Sequence, residues 1–284
     1  MPAVYSIPEE AERQQATGFG TQITQFVPGT MAESVYDQMS HQNKLKLVSK
    51  MALAWQACWD LPLPPTRQIG ELIATDQDGC IKLAIGPDRH FSLGGPFTSV
   101  REWLKGRLRH ALGCLERATW LDGYKAEHLT SIRSLVNSHL DQIPETVEIC
   151  PIVAIHADMG LHNVIVSADD HTEIMAIIDW EFCASAPFLA AYQCIDRLFR
   201  KAAPNGYGPE FPQADELRAA FWEIIPRWKT QMEKQGAKDF LEWFRFALFM
   251  QPEHCSDENE KMRFWAENIR VVEHMVRKYS ADTS

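Results

Sequence analysis

No two of the chain's seven cysteines are spaced C-x-x-C. An odd count without paired spacing argues against both a disulfide framework and a structural zinc. A reducing compartment is expected instead. No apolar run approaches the roughly eighteen residues of a membrane span, so no membrane partner is expected. The start, Met-Pro-Ala-Val-Tyr-Ser-Ile-Pro-Glu-Glu, lacks the basic flank and apolar core of a secretory leader. Together these absences predict a cytoplasmic protein. Positive charge is also scarce: 28 Lys and Arg stand against 38 Asp and Glu, a formal net charge of −10. Nucleic-acid binding is therefore not expected, and the acidic balance leans toward a cationic small molecule if it reports on a partner at all. Internal repeats and low-complexity tracts are missing. So are a G-x-S-x-G elbow and an H-E-x-x-H helix, which leaves a hydrolase without a recognisable nucleophile or metal helix.

The remaining composition is that of an ordinary globular protein, with 45% hydrophobic and 23% charged residues. Nine tryptophans and fourteen phenylalanines in 284 residues are enough for a sizeable core. Thr24-Gln25-Phe26-Val27 reads as a strand closed by the turn pair Pro28-Gly29. Residues 32–59 carry apolar side chains at three- and four-residue steps and read as one helix, ended by Leu61-Pro62-Leu63-Pro64-Pro65. Ile81–Ile85 reads as a strand after an Asp78-Gly79 turn. Ser99, three before Glu102, has capping-box spacing and predicts a helix over about 100–117, followed by another over about 126–141. Short strands are expected at 152–156, 163–167 and 173–179, and helices at 188–201, 213–235, 238–250 and 257–279.

The most informative stretch lies between 156 and 181. His156, Asp158 and Asn163 fit H-x-D-x-x-x-x-N, and Asp179 follows sixteen positions later at the end of Met175-Ala176-Ile177-Ile178. A phosphoryl-transfer site needs one carboxylate for the attacking hydroxyl, and oxygen ligands for magnesium. Asp158 is the candidate for the first role, Asn163 and Asp179 for the second. Gly160 permits the chain to curl between Asp158 and Asn163, and a hairpin from 163 to 179 would return Asp179 beside Asn163. His156, after an apolar run, reads as a buried hydrogen-bonding support rather than a proton shuttle. Trp180 reads as core, Glu181 is open between lining a substrate and bonding the backbone, and His162 carries no assigned role. His156 and His162 have no third soft ligand nearby in sequence, which argues against zinc.

The stretch "IHADMGLHNVIVSADDHTEIMAIIDWEF" resembles the aminoglycoside phosphotransferase/choline kinase-like family. "TQITQFVPGTMAESVYDQMSHQNKLKLVSKMALAWQACWDLPLP" is similar to that family's hinge strand, Pro-Gly turn and first large-lobe helix, and "GPFTSVREWLKGRL" to a segment common in its fungal members. The resemblance implies an α+β, protein-kinase-like fold that is mostly helical large lobe (31–284) with a reduced small lobe and hinge (1–30). It implies an enzyme that uses ATP and Mg2+ to phosphorylate a hydroxyl of a small molecule. Asp158 then matches the catalytic aspartate, supported by His156. Asn163 and Asp179 match the metal ligands, and hinge residues Gln25, Phe26 and Val27 would hold the nucleotide.

Members of the family also clamp the nucleotide phosphates with a small-lobe lysine under a glycine-rich loop. Here the first lysine is Lys44, inside the first large-lobe helix, and Arg13 is the only earlier basic residue. Gly18-Phe19-Gly20 is too short to be that loop. Three readings stay open: more small-lobe sequence upstream, an impaired pseudokinase acting as a binding or scaffold protein, or an enzyme working with a reduced lobe. A reduced lobe would leave the apolar hinge exposed, to be covered by a dimer or protein partner.

Overall fold

The computed structural model describes residues 2–5, 9–17, 23–77, 80–89, 92–202, 208–250 and 269–279. A short ladder of β1 (Val4–Tyr5) and β2 (Ile23–Thr24) flanks α1 (Glu10–Thr17). The chain then passes through β3 (Thr30–Met31), α2 (Ala32–Tyr36) and α3 (His41–Trp59) to a hairpin of β4 (Gly70–Gln77) and β5 (Cys80–Gly86). Two long helices follow, α4 (Val100–Arg117) and α5 (Asp122–Ser138). Next come β6 (Ile152–His156), β7 (Val164–Val166), β8 (Ile174–Ile177) and β9 (Cys183–Pro187). The rest is helical: α6 (Tyr192–Asp196), α7 (Ala214–Glu223), α8 (Pro226–Met232), α9 (Gln235–Met250) and α10 (269–279). All strand pairings are antiparallel, in sheets ordered β3-β7-β8 and β5-β4-β9-β6, so the class is α+β.

Aromatic side chains hold the helices together. Trp59 on α3 packs within 5.4 Å of Phe188 and 4.9 Å of Trp228, centroid to centroid. Trp103 on α4 stacks nearly parallel to Phe240 and Phe244 of α9, at 6.2 and 5.9 Å. These rings are buried, and burial of that size dominates the favourable side of the folding balance.

Several boundaries differ from the sequence expectations for identifiable reasons. The first ladder ends at Thr24, so Gln25, Phe26 and Val27 are not strand. Gln25 still docks on the β1 edge, its N–H donating to Ala3 O at 2.7 Å. The hinge is open to solvent, with Phe26 86% exposed beside exposed Tyr5 and Ile23. The helix expected over 32–59 is broken between Asp37 and Ser40. Ser40 Oγ caps α3 by accepting from Asn43 N, while Lys44 Nζ, about one turn on, donates to Asp37 O and Met39 O. Lys44 is buried over the rings of Tyr36 and Phe211, so it pins this corner. Pro226 splits the helix expected over 213–235, entering at the first position of α8, where its missing N–H costs nothing. The helix expected over 126–141 starts earlier, at Asp122, and ends at Ser138. Of 188–201 only 192–196 is α-helix. Strands β4 and β9 have no counterpart in the sequence reading. Gly18-Phe19-Gly20, Asp78-Gly79, 205–207 and 257–268 lie outside the described residues. The α4 cap does form: Ser99 Oγ accepts from Glu102 N at 3.2 Å. Glu148, distant in sequence, completes it by accepting from Val100 N and Arg101 N.

Gly29 fixes how the N-terminal segment meets the rest. Its φ is +151°, and a Cβ there would stand 2.4 Å from Val166 O. Only glycine lets the chain pass this close and then pair Thr30 and Met31 with Val166 and Ile165. Gly29→Ala is expected to destabilise the protein by more than ~1 kcal/mol. Thermal or urea denaturation of the purified variant checks this, and an unchanged midpoint would refute it.

Candidate active site

Strand β6 ends in His156, whose ring is fully buried. Its Nε2 lies 3.0 Å from Ile178 O and its Nδ1 accepts from Asp158 N at 3.3 Å. A carbonyl at one nitrogen and an N–H at the other assign the proton to Nε2. Burial pushes His156 below the ordinary imidazole range, although the Ile178 carbonyl, Asp158 and Asp179 pull the other way. The ring is thus neutral and serves as a brace. Trp180 lies against it at 5.0 Å, anchored by its own Nε1 donating to Ile177 O at 2.8 Å.

Past His156 the chain turns sharply. Ala157 N donates to Phe182 O at 2.8 Å, which extends the β6–β9 pairing by one bond. Asn163, buried, donates from Nδ2 to Asp158 O at 2.9 Å and to Asp158 Oδ2 at 3.2 Å. These two bonds curl the turn and leave Oδ1 as the amide's remaining coordinating atom. Gly160 serves this turn through space rather than backbone sign. Its φ is −93°, but a Cβ would meet the His162 ring at 2.6 Å. The hairpin places Ile177 opposite Val164, and Ile178 N donates to Asn163 O at 3.0 Å, so Asp179 follows directly beside Asn163's backbone. Asp179 is exposed and left-handed, at φ 61°, ψ 53°. Such a conformation in a non-glycine residue costs of order 1 kcal/mol and is typical of functional turns.

Two neighbours of Asp158 carried no role in the sequence reading. His162 Nε2 lies 3.0 Å from Asp158 Oδ2, with the two side chains 29% and 35% exposed. Burial tends to raise the Asp158 carboxyl, but the His162 hydrogen bond and charge, with Arg197, outweigh it and hold the group below the usual carboxylate range. In return the Asp158 hydrogen bond lifts His162 above its ordinary value, against burial. Cys194 Sγ sits 3.6 Å from Ala157 O and 4.0 Å from Asp158 Oδ1. Burial pushes this thiol up to about 12, so it stays protonated and donates. His162 was legible in principle, since the turn that closes Asp158 on Asn163 also brings its neighbour along. Cys194 lies 36 positions away and carries no local signal.

Asp158 also lines a cavity of about 290 Å³ together with Ile69, Trp103, Arg107, Phe182 and Gln193. Among the described residues no group of three His, Cys, Asp or Glu side chains is placed to hold a metal ion by itself. Asn163 Oδ1 and the Asp179 carboxylate offer oxygen atoms only. That set suits a hard cation that keeps water and phosphate oxygens in the rest of its shell. No helix among the described residues is long and apolar enough to cross a membrane. The hinge residues Gln25, Phe26 and Val27 stand apart in sequence, joined to this sheet through Gly29 and β3.

The chain matches the phosphotransferase enzyme (APH) family over residues 2–222. Among solved structures it is similar to aminoglycoside phosphotransferase APH(2'')-Ib with ADP bound. The TM-score is 0.52 and the identity 11%, covering 97% of this chain and 76% of that one. It is similar likewise to the streptomycin-ATP-APH(2")-IIa ternary complex, with TM-score 0.52, 12% identity, and 97% and 75% of the two chains covered. At these identities the likeness is one of fold, which is the kinase-like one. No curated protein matches.

The Asp158–His162 pair makes a prediction about pH. A lowered carboxyl stabilises the fold above its unfolded value of ~3.9, and that contribution is lost as pH falls through the folded value. A raised imidazole stabilises below ~6.5 and loses that contribution as pH rises through its folded value. His162→Gln should therefore lower Tm most between about pH 4 and 6.5, with the gap to wild type narrowing on both sides. In Asp158→Asn the His162 resonance should titrate at lower pH than in wild type. An NMR titration in which it does not move would remove the pair.

Proposed function

The chain belongs to the phosphotransferase enzyme family, and from the geometry of the 156–179 turn we infer that it transfers the terminal phosphoryl group of ATP to a hydroxyl of a small molecule, with Mg2+ as the cofactor. The observation that carries this reading is Asp158 itself. It is braced from four directions by His156, Asn163, His162 and Cys194, yet its side chain remains partly exposed and lines a cavity.

In this reaction the acceptor oxygen bonds to the γ-phosphorus, the bond to the bridging oxygen of ADP breaks, and the hydroxyl proton passes to Asp158. A carboxyl held below its usual range is a weak base, so early proton abstraction is not its strength. That is compatible with a loose transition state, in which the nucleophile needs orientation more than deprotonation. The carboxylate has lone pairs to spare beyond those used by His162 and Asn163. Asn163 and Asp179 would hold the magnesium, which neutralises charge on the phosphates when bound. His156 keeps the two halves of the site in register and takes no proton.

Solved neighbours carry ADP, or ATP with streptomycin, which supports nucleotide use and a small-molecule acceptor here. Gln25, Phe26 and Val27 are the proposed adenine contacts. A catalytically impaired binding protein is the second reading, favoured by Lys44. That lysine is spent on the Asp37 and Met39 carbonyls, so it cannot clamp phosphates in this position.

Calorimetric titration of Mg-ATP into the full chain separates these readings. Magnesium-dependent binding is expected in wild type and should be lost in Asp179→Asn. Asp158→Ala should keep nucleotide binding and stay folded, with Tm lowered much as in His162→Gln, while turnover of an accepted alcohol falls by at least ~100-fold. Retained turnover in Asp158→Ala would unseat the assigned base.

A further inference from the structure

The cavity beside Asp158 has a chemical character of its own. Most of its lining is apolar or aromatic, including Ile69, Trp103, Ile155, Phe182 and Phe244. Among the lining residues Arg107 is the one cation, and it is only 3% exposed. Its guanidinium carbon stands 6.0 Å from the Trp103 ring and 5.8 Å from the Phe244 ring, so two aromatic faces hold it in place. Gln193, on α6 next to the Cys194 that touches Asp158, has a buried Oε1 with no hydrogen-bond partner among the described residues. Two further carboxylates face the same space. Asp158 is engaged by His162, and Asp88 acts as a counter-charge to Arg107.

We propose that the acceptor is a small, largely apolar hydroxy acid, whose hydroxyl meets Asp158 and whose carboxylate meets Arg107. This rests on the phosphotransfer reading above and adds the substrate class. Three arguments support it. A guanidinium presents a planar fork of donors that matches a carboxylate, and it gains most where water is excluded. Two aromatic faces already hold the Arg107 guanidinium in place, so little freedom is lost on setting it against a carboxylate. The volume and the apolar walls suit one ring or a short chain between two polar ends, not a large polycation. The acidic surface had leaned toward a cationic acceptor; the cavity's one buried cation points the other way.

The test uses the full chain and a matched panel: 4-(hydroxymethyl)benzoate and 6-hydroxyhexanoate, each beside its amide and its amine. Binding is measured by calorimetry and phosphorylation by mass spectrometry with Mg-ATP. The acids should bind at least about tenfold tighter than their amides. Arg107→Met should erase that preference in the folded protein. If Arg107→Met does not fold, Asp88→Asn serves instead: with the competing carboxylate gone, acid binding should tighten, and unchanged or weaker binding would overturn the assignment. Amides or amines binding as well as the acids, or no probe binding at millimolar concentration, would also overturn it. Acids that bind with the stated preference but are never phosphorylated would leave the pocket assignment standing and remove the phosphotransfer reading. Phosphorylation of amides or amines without binding of the acids would do the reverse.

Discussion

The site depends on one buried imidazole. His156 accepts from Asp158 N and donates to Ile178 O, so a single ring sets the distance between the turn carrying Asp158 and the hairpin end carrying Asp179. Neither contact could be supplied by water, because the ring is fully buried. Without the ring, a donor and an acceptor of the backbone would be left unpaired in the core, at ~1–3 kcal/mol each. The neutral state matters equally. A protonated ring would carry an N–H at both nitrogens and could not accept from Asp158 N. Burial, which disfavours the charge, therefore enforces the hydrogen-bond pattern as well as the packing.

Around this brace the backbone repeats the same connection. Strand β9 pairs with β6 up to His156, Ala157 N reaches Phe182 O, and Ile178 N reaches Asn163 O. Each bond ties one side of the turn to the other, so Asp158, Asn163 and Asp179 sit on a frame rather than on free loops. The frame is continued outward by β7, which receives β3 through the close passage at Gly29. The 25–27 segment is thereby set relative to the 156–179 turn by backbone pairing, even though its own side chains, Phe26 above all, stand in solvent.

How much of this could be read beforehand follows from the range of the interactions involved. The turn was legible because its parts are local: Asp158 and Asn163 are five positions apart, and the 163–179 hairpin is set by an apolar run and its return. The Ser99 cap was legible for the same reason, while its completion by Glu148, 48 positions from Val100, was not. Strand β9 was missed because Cys183-Ala184-Ser185-Ala186-Pro187 has small side chains and little β-propensity; its pairing with β6 and β4 determines its conformation. The break at Asp37–Ser40 was hidden by apolar periodicity on both sides, and Lys44, which closes it, reads in sequence as an ordinary exposed helix residue. The cavity was invisible at that stage, since its walls come from β4, α4, β6, β9, α6 and α9.

The cavity wall and the helical core are the same object, and this limits how the cavity could change. Trp103 joins α4 to α9 by stacking on Phe240 and Phe244, and two of these three rings also face the space beside Asp158. Truncating either wall ring would open the cavity and remove interhelix packing together, at ~3–5 kcal/mol for a large aromatic. The polar groups differ in this respect. Arg107 lies over those rings rather than between them, and Gln193 Oε1 has no bond to lose. Replacement of either alters the charge or hydrogen-bonding capacity of the cavity while leaving the ring stack in place. The chemical character of the cavity is thus most readily varied by polar side chains set on an aromatic wall that stability keeps constant.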